Sequence, residues 1–504
     1  MTDRQLLEDY LRRILNAKVY DVAIETPLDE AAALSAKLGA TFLLKREDLQ
    51  SVHSYKIRGA YNKMSLLPRE ELAKGVICAS AGNHAQGVAL SAQKLGAKAT
   101  IVMPVTTPEI KTSAVKALGA EIVLHGDSYS DTYEELHRQI DLHGYTYIAP
   151  FDDPDVIAGQ GTVGKEILEQ APRNLTAVYV PIGGGGLASG VSTYIKAVRP
   201  GVKVYGVEPA DSDCMARSLA AGRRVTLANP GLFADGVCVK EPGVETFRIC
   251  RKTLDGIIKV STAEICAAIK DIFEATRAIC EPAGALALAA AKLNARKGDV
   301  CACIVSGANM NFDRIRFICE QTEIGEKREA ILVCRIPDER GAFKELIKRI
   351  GKRSVTEFNY RATGGNTAQV FIGLSVQDRA ETARLAASLA QAHFETIDLS
   401  GDTLAKEHIR HMVGGRVPGL ADEIVCDFEF PERPGALLDF LEAVSNSWNI
   451  TLFHYRNHGA DHGKVLCGFQ VPAKERKTLK TVLDKIGYAY RDVSANPAYR
   501  LFLG

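Results

Sequence analysis

The sequence predicts an α/β protein built on a parallel sheet covered by helices on both faces, followed by a duplicated α+β module. Over residues 1–325, short apolar and β-branched runs alternate with Ala/Leu/Lys-rich helical patterns, and hairpin signals are few. That alternation is the mark of parallel strands joined by helices that cover both faces of a sheet. Several of the runs end in loops of unusual composition, which is where open α/β sheets place their sites. From residue 329 the style changes, and one strand–turn–helix–hairpin pattern occurs twice.

At 504 residues the chain exceeds what one hydrophobic core usually serves, so more than one domain is expected. The expected strands occupy 76–79, 99–103, 120–124, 145–148, 177–182, 203–208, 256–260 and 300–305, with helices between them. The tail opens with Ala330-Ile-Leu-Val-Cys-Arg-Ile-Pro-Asp-Glu-Arg-Gly341, a strand and turn before a helix. Val355-Thr-Glu-Phe-Asn-Tyr-Arg361 and 369–376 then read as a hairpin. The order returns at Val425-Cys-Asp-Phe-Glu-Phe-Pro-Glu-Arg-Pro-Gly435, Ile450-Thr-Leu-Phe-His-Tyr-Arg456 and 465–471. It aligns Pro337 with Pro431, Gly341 with Gly435, Phe358 with Phe453, Tyr360 with Tyr455 and Arg361 with Arg456. Two copies are expected, at 329–401 and 423–495, with a tail to 504.

Composition removes several classes. Hydrophobic residues make up 46% and charged residues 24%, the balance of an ordinary globular protein. The net charge of +1, with no long basic block, makes nucleic acid and acidic membrane surfaces unexpected partners. The opening Met-Thr-Asp-Arg-Gln has neither an apolar signal core nor transit character, and the Ala-rich run 283–291 is too short to span a bilayer. A cytoplasmic protein is expected. The 12 cysteines are spread singly with no Cys-x-x-Cys, as buried thiols in a reducing compartment would be. No metal site is expected. His454, His458 and His462 are evenly spaced, but Asn457, Gly459 and Gly463 favour a polar hairpin tip over a helix. His408 and His411 lack a third ligand and fit a surface helix.

The chemistry centres on Ser51-Val-His-Ser-Tyr-Lys56-Ile-Arg-Gly59-Ala, between the apolar run 41–45 and a helical pattern. A lysine withdrawn from water at such a turn has a lowered pKa and an amine able to attack a carbonyl. Most lysines are merely solvated, so the reading depends on partners. The first is Gly183-Gly-Gly-Gly186-Leu-Ala-Ser-Gly190, between a strand and a helix, where backbone N–H groups and the helix N-terminus suit a phosphate. Gly183-x-Gly185-x-x-Ala188 with Glu208 also nearly satisfies a dinucleotide fingerprint, which leaves an NAD-dependent oxidoreductase as the competing reading. The second is Ser80-Ala-Gly82-Asn83-His84-Ala-Gln86-Gly87, able to hold a carboxylate and to donate from Asn83 to a ring oxygen; helix capping by Asn83 is the plain alternative. The third, Ser306-Gly-Ala-Asn309, offers a hydroxyl to a heteroaromatic nitrogen or simply makes a turn. Gly159-Gln-Gly-Thr-Val-Gly164-Lys165 has P-loop spacing, but Glu166 stands where a magnesium-binding hydroxyl belongs, so no nucleoside triphosphate site is expected.

Together these motifs resemble, in order and spacing, the fold type II (tryptophan-synthase-β-like) pyridoxal-phosphate enzymes, and the threonine dehydratases most of all. The tail resembles the paired ACT-like regulatory domains of their long form, so the likeness runs essentially the whole chain. It implies a catalytic domain over 1–325 whose parallel or mixed sheet is divided between two subdomains, the smaller roughly 51–145, with pyridoxal 5′-phosphate as cofactor. By position, it implies Lys56 as the lysine that bonds the cofactor and serves as base. Asn83 is implied as donor to the ring hydroxyl, Gly183, Gly184, Gly185 and Gly186 with Leu187 as phosphate cradle, and Ser306 as partner of the ring nitrogen. Glu281 would lie near the cofactor, and Ser80, Ala81, Gly82, Asn83 and His84 would take the substrate carboxylate. The implied reaction converts L-threonine to 2-oxobutanoate and ammonia, or secondarily acts on L-serine: the β-hydroxyl leaves as water, and hydrolysis of the enamine takes water up again as ammonia is released. Isoleucine and valine are the implied effectors and a homotetramer the implied assembly. Tyr55 stands where much of the family has phenylalanine, which alters packing rather than chemistry.

Overall fold

The computed structural model describes the chain apart from residues 1, 106, 108, 127–128, 313, 326–328, 363–365, 403–413, 416, 432–435, 445–446, 457–461 and 497–504. His408, His411 and His458 therefore lie outside the described residues, and the side chain of His462 with them. The chain divides into two compact units, Met1–Gly325 and Glu326–Gly504.

The first unit holds two sheets. The larger runs Leu28–Glu30, Thr41–Arg46, Val300–Val305, Ala177–Pro181, Lys203–Pro209 and Gly256–Val260 across its width. All its pairings are parallel except that of Leu28–Glu30 with Thr41–Arg46. The smaller sheet is wholly parallel, in the order Glu121–Leu124, Ala99–Met103, Val76–Ala79 and Thr146–Tyr147. Central strands such as Val76–Ala79, Ala177–Pro181 and Val300–Val305 are buried at every position, which is why they read as unbroken apolar runs. The expected strands at 120–124 and 145–148 shorten to Glu121–Leu124 and Thr146–Tyr147. Burial pushes the Cys78, Cys280 and Cys303 thiols up, so these side chains pack as small apolar groups.

The P-loop-like segment 159–165 is not a loop. It lies inside the helix Pro154–Gln170, capped by the Asp153 carboxylate. Its glycines serve close packing: a Cβ on Gly159 would stand 2.6 Å from the Arg58 carbonyl oxygen. Glu166 belongs to a buried ionic cluster under the Lys56–Ser65 helix. Arg58, 0% exposed, bonds Glu47 through Nε at 2.8 Å and Glu166 through Nη1 at 2.6 Å. Lys45 reaches Glu166 at 2.6 Å. Burial opposes ionisation of Glu47, but the Arg58 guanidinium outweighs it and holds the carboxyl below the usual range.

The second unit is one eight-stranded antiparallel sheet made from two βαββαβ copies. The copies meet along Val355–Arg361 and Asn449–Arg456, with Phe358 opposite Tyr455 and Tyr360 opposite Phe453. Equivalent residues thus exchange partners about a local two-fold axis, and Phe343, Phe358 and Phe453 pack across it. Each copy also contains a second helix and an outer strand that the repeated motif does not reveal: Arg379–Gln391 with Glu395–Asp398, and Arg476–Ile486 with Ala489–Asp492. The outer strands are short and mostly exposed, so they carry no hydrophobic signature. Among the described residues, no helix is long and apolar enough to cross a membrane.

Candidate active site

Loops at strand and helix ends of the first unit converge on a cavity of about 730 Å³. Lys56 opens the helix Lys56–Ser65 and donates from Nζ to the Pro150 carbonyl at 2.7 Å. Burial lowers its pKa to about 8, against the opposing pull of Glu281. Gly87 admits the neighbouring helix: a Cβ there would stand 3.2 Å from the Lys56 carbonyl oxygen.

The tetraglycine joins the strand Ala177–Pro181 to the helix Gly186–Val198. A Cβ would lie 2.9 Å from Val237 Cα at Gly183 and 2.4 Å from the Phe151 ring at Gly184. At Gly185, where φ is +99°, it would lie 2.7 Å from Met215 Cε, and at Gly186 3.0 Å from Phe151 Cα. Bare backbone at the start of a 13-residue helix therefore forms this wall, the setting a phosphate prefers. The loop is held from outside. Thr246 Oγ1 donates to the Gly184 carbonyl at 2.6 Å, and Asp152 accepts the N–H groups of Val244 and Glu245 at 2.8 and 2.9 Å, capping the helix that carries Thr246.

Asn83 begins the helix Asn83–Leu95 and donates to Glu281 Oε1 at 2.7 Å. Burial, and then the charge of Asp235, pushes the Glu281 carboxyl up to about 8. His84 Nε2 sits 2.9 Å from the Ile148 carbonyl, which only accepts, so that nitrogen carries a proton. Burial and Lys56 push the imidazole down to about 3, and it stays neutral. Ser80, Ala81, Gly82 and Leu187 line the same cavity. Ser306 does not: it is buried at the end of Val300–Val305, its carbonyl accepting the Tyr55 N–H at 3.2 Å.

Glu208 is no ribose acceptor. Its carboxylate is 0% exposed and accepts the N–H groups of Met215 and Ala216 at 2.9 and 2.8 Å. It caps the helix Cys214–Ala221, and the dinucleotide reading loses its acidic residue. Pro150, Phe151, Asp152, Thr246 and Asn309 are the participants missed by sequence reasoning. Asn309 stood within a quoted motif, whereas the others lack any local signature.

Pyridoxal 5′-phosphate needs an amine, a cradle without side chains and a donor for its ring oxygen. Lys56, the tetraglycine and Asn83 bring all three to one cavity. Gly184→Ala is expected to force its methyl into the Phe151 ring. At about 1–3 kcal/mol of overpacking, the apoprotein should bind the cofactor roughly ten- to hundredfold more weakly, as read by absorbance titration.

Residues 19–307 match the family described as pyridoxal-phosphate dependent enzyme. Residues 320–409 and 414–503 each match the C-terminal regulatory domain of threonine dehydratase. The chain is 54% identical to the biosynthetic L-threonine dehydratase IlvA of Burkholderia multivorans, over 98% of this chain and 99% of that one. It is 50% identical to the chloroplastic biosynthetic threonine dehydratase of Arabidopsis thaliana, over 98% of this chain and 84% of that one. The solved structure of processed threonine deaminase isoform 2 from Solanum lycopersicum superposes with a TM-score of 0.63 at 48% identity, covering 64% of this chain and 90% of the other. Maize serine racemase, at 33% identity, gives a TM-score of 0.58 over 61% of this chain and 95% of its own. Whole-length kinship, a cavity shaped for the cofactor and a matched regulatory tail agree: the chain belongs to the biosynthetic threonine dehydratases, fold type II pyridoxal-phosphate enzymes with ACT-like regulatory domains.

Proposed function

We propose that this cavity converts L-threonine to 2-oxobutanoate and ammonia, the first step of isoleucine biosynthesis. The observation that carries the proposal is a lysine with its pKa lowered to about 8 sharing one cavity with a side-chain-free helix N-terminus. Lys56 would hold the cofactor, the backbone of Gly183, Gly184, Gly185, Gly186 and Leu187 its phosphate, and Asn83 its ring hydroxyl. When bound, pyridoxal phosphate withdraws electrons from the Cα of the amino acid. Lys56 Nζ, with its pKa lowered to about 8 and so neutral in an appreciable fraction near that pH, would take the Cα proton. The backbone N–H groups of the Ser80–His84 loop receive the substrate carboxylate, since the His84 Nε2 proton is already committed to Ile148. Ser306, whose carbonyl accepts the Tyr55 N–H, is assigned the ring nitrogen, and Glu281 the neighbourhood of the ring oxygen. The purified protein should be coloured, lose that colour to borohydride with the cofactor fixed to Lys56, and release 2-oxobutanoate from threonine. A colourless protein that binds nicotinamide nucleotide would refute the assignment.

The regulatory tail is proposed to bind isoleucine, which lowers activity, and valine, which opposes it, in a cytoplasmic homotetramer. Coupling requires each effector to bind two global states unequally. Trp448, the chain's only tryptophan, is 2% exposed in the core of the second unit, with Nε1 donating to Glu475 at 3.1 Å. Its emission should change as isoleucine is added, with a midpoint that matches inhibition. Inhibition without any change in emission would place the effector elsewhere.

A further inference from the structure

A side-chain amide can be placed either way round, so its direction must be read from neighbours of fixed polarity. Asn309, in the loop after Val300–Val305, has such a neighbour. Its Nδ2 lies 2.8 Å from the Val52 carbonyl oxygen, a group that can only accept. Asn309 must therefore present its NH2 there, and the same Nδ2 donates to Asn83 Oδ1 at 2.7 Å. Both of its N–H bonds are then spent. Asn83 in turn has its oxygen held toward Asn309, and its NH2 is left for the cavity side, one hydrogen of it meeting Glu281 Oε1 at 2.7 Å. The acceptor at that end is placed by the same loop, since the Glu281 N–H donates to the Gly307 carbonyl at 3.1 Å. The loop also grips the segment leading to Lys56: Ala308 N–H reaches the His53 carbonyl at 2.9 Å, and Tyr55 N–H reaches that of Ser306 at 3.2 Å.

We propose that Asn309 is a positioning residue that fixes the direction of the Asn83 amide, so that one Asn83 N–H remains free for the ring oxygen of pyridoxal phosphate. The inference rests on the cofactor assignment made above. Without Asn309, the contact left on this chain of bonds is with Glu281, whose carboxyl, pushed up to about 8, can donate as well as accept and so does not by itself stop the Asn83 amide from turning over and offering the cofactor an acceptor instead of a donor.

The test is a double-mutant cycle on the full chain, read by cofactor titration of apoprotein and by the pH at which the visible band titrates. Asn309→Asp keeps the shape but replaces the donor with acceptors. It should weaken cofactor binding about tenfold or more and move the band's titration midpoint. In an Asn83→Ala background the same change should have little further effect, because the group it orients is gone. Asn309→Ala, which buries no new charge, should give the same pattern if the aspartate variant folds poorly. Binding and titration midpoint unmoved in either folded variant would overturn the proposal. So would losses that multiply in the double variants, because Asn309 would then act independently of Asn83. A wild-type protein that takes up no cofactor would overturn the cofactor assignment together with this inference, whereas a normal wild type beside unaffected variants overturns this inference alone.

Discussion

Lys56→Ala is expected to abolish the protein's visible absorption and to lower threonine turnover by at least about a thousandfold, within the range of a lost general base. Two roles fail at once. The amine that bonds the cofactor disappears, and so does the base for the Cα proton. The structure gives a reason why no other lysine takes over: among the described residues of the cavity wall, Lys111 is tied to Asp235 at 3.0 Å. Lys240 also lines the cavity, but it lies on the loop after Asp235–Val237 and not at the start of the helix Lys56–Ser65. Lys56→Arg should be equally inactive, because a guanidinium keeps its proton in a protein. Single-turnover assays with added cofactor would check both variants, and a variant retaining a tenth of normal turnover would remove Lys56 from the mechanism.

Arg58→Ala is expected to cost about 3–5 kcal/mol of stability, because it leaves buried carboxylates without their main cation. Glu47 and Glu166 are both 0% exposed, and Lys45, which faces Glu166 at 2.6 Å, is the cation left between them. The change should appear in denaturant unfolding of the apoprotein, apart from any effect on turnover. It should also depend on pH with a definite sign. In the wild type the Glu47 pKa is depressed, so Glu47 contributes stability above the unfolded carboxylate pKa and loses it as pH falls through the folded value. In the variant, burial acts on Glu47 without the guanidinium to oppose it. The gap between the two proteins should therefore narrow as pH drops from neutrality toward the ordinary carboxylate range. A gap independent of pH would mean that lost packing, not lost charge pairing, sets the cost.

The contrast between these two residues shows what the sequence could disclose. Lys56, Asn83 and the tetraglycine sit in contiguous loops after strands, and each loop has a composition that only a few chemistries explain. Arg58 lies two positions from Lys56, yet its partner Glu166 is 108 residues away, and no local pattern announces that meeting. Asp152 and Thr246 are equally silent for the same reason. Glu208 failed in the opposite direction. Its position at a strand end imitates a ribose ligand, and only the folded chain shows its carboxylate turned onto the N–H groups of Met215 and Ala216. The repeats were legible where aromatic and proline residues recur. Their outer strands were not, because four mostly exposed residues held by edge hydrogen bonds need no particular side chains.

The edge-to-edge meeting of the two repeats bears on why there are two. A polypeptide ending after the first copy would keep Val355–Arg361 paired with Thr367–Ser375 but leave its other edge open, with Phe358 and Tyr360 deprived of Tyr455 and Phe453 across the seam. It would have to borrow a second molecule to close that seam, and the closure would then vary with concentration. Tethering both halves in one polypeptide replaces that encounter with a local one, at an effective concentration on the order of millimolar. The seam then forms at any expression level, and the sheet is complete as soon as one ribosome has finished its work.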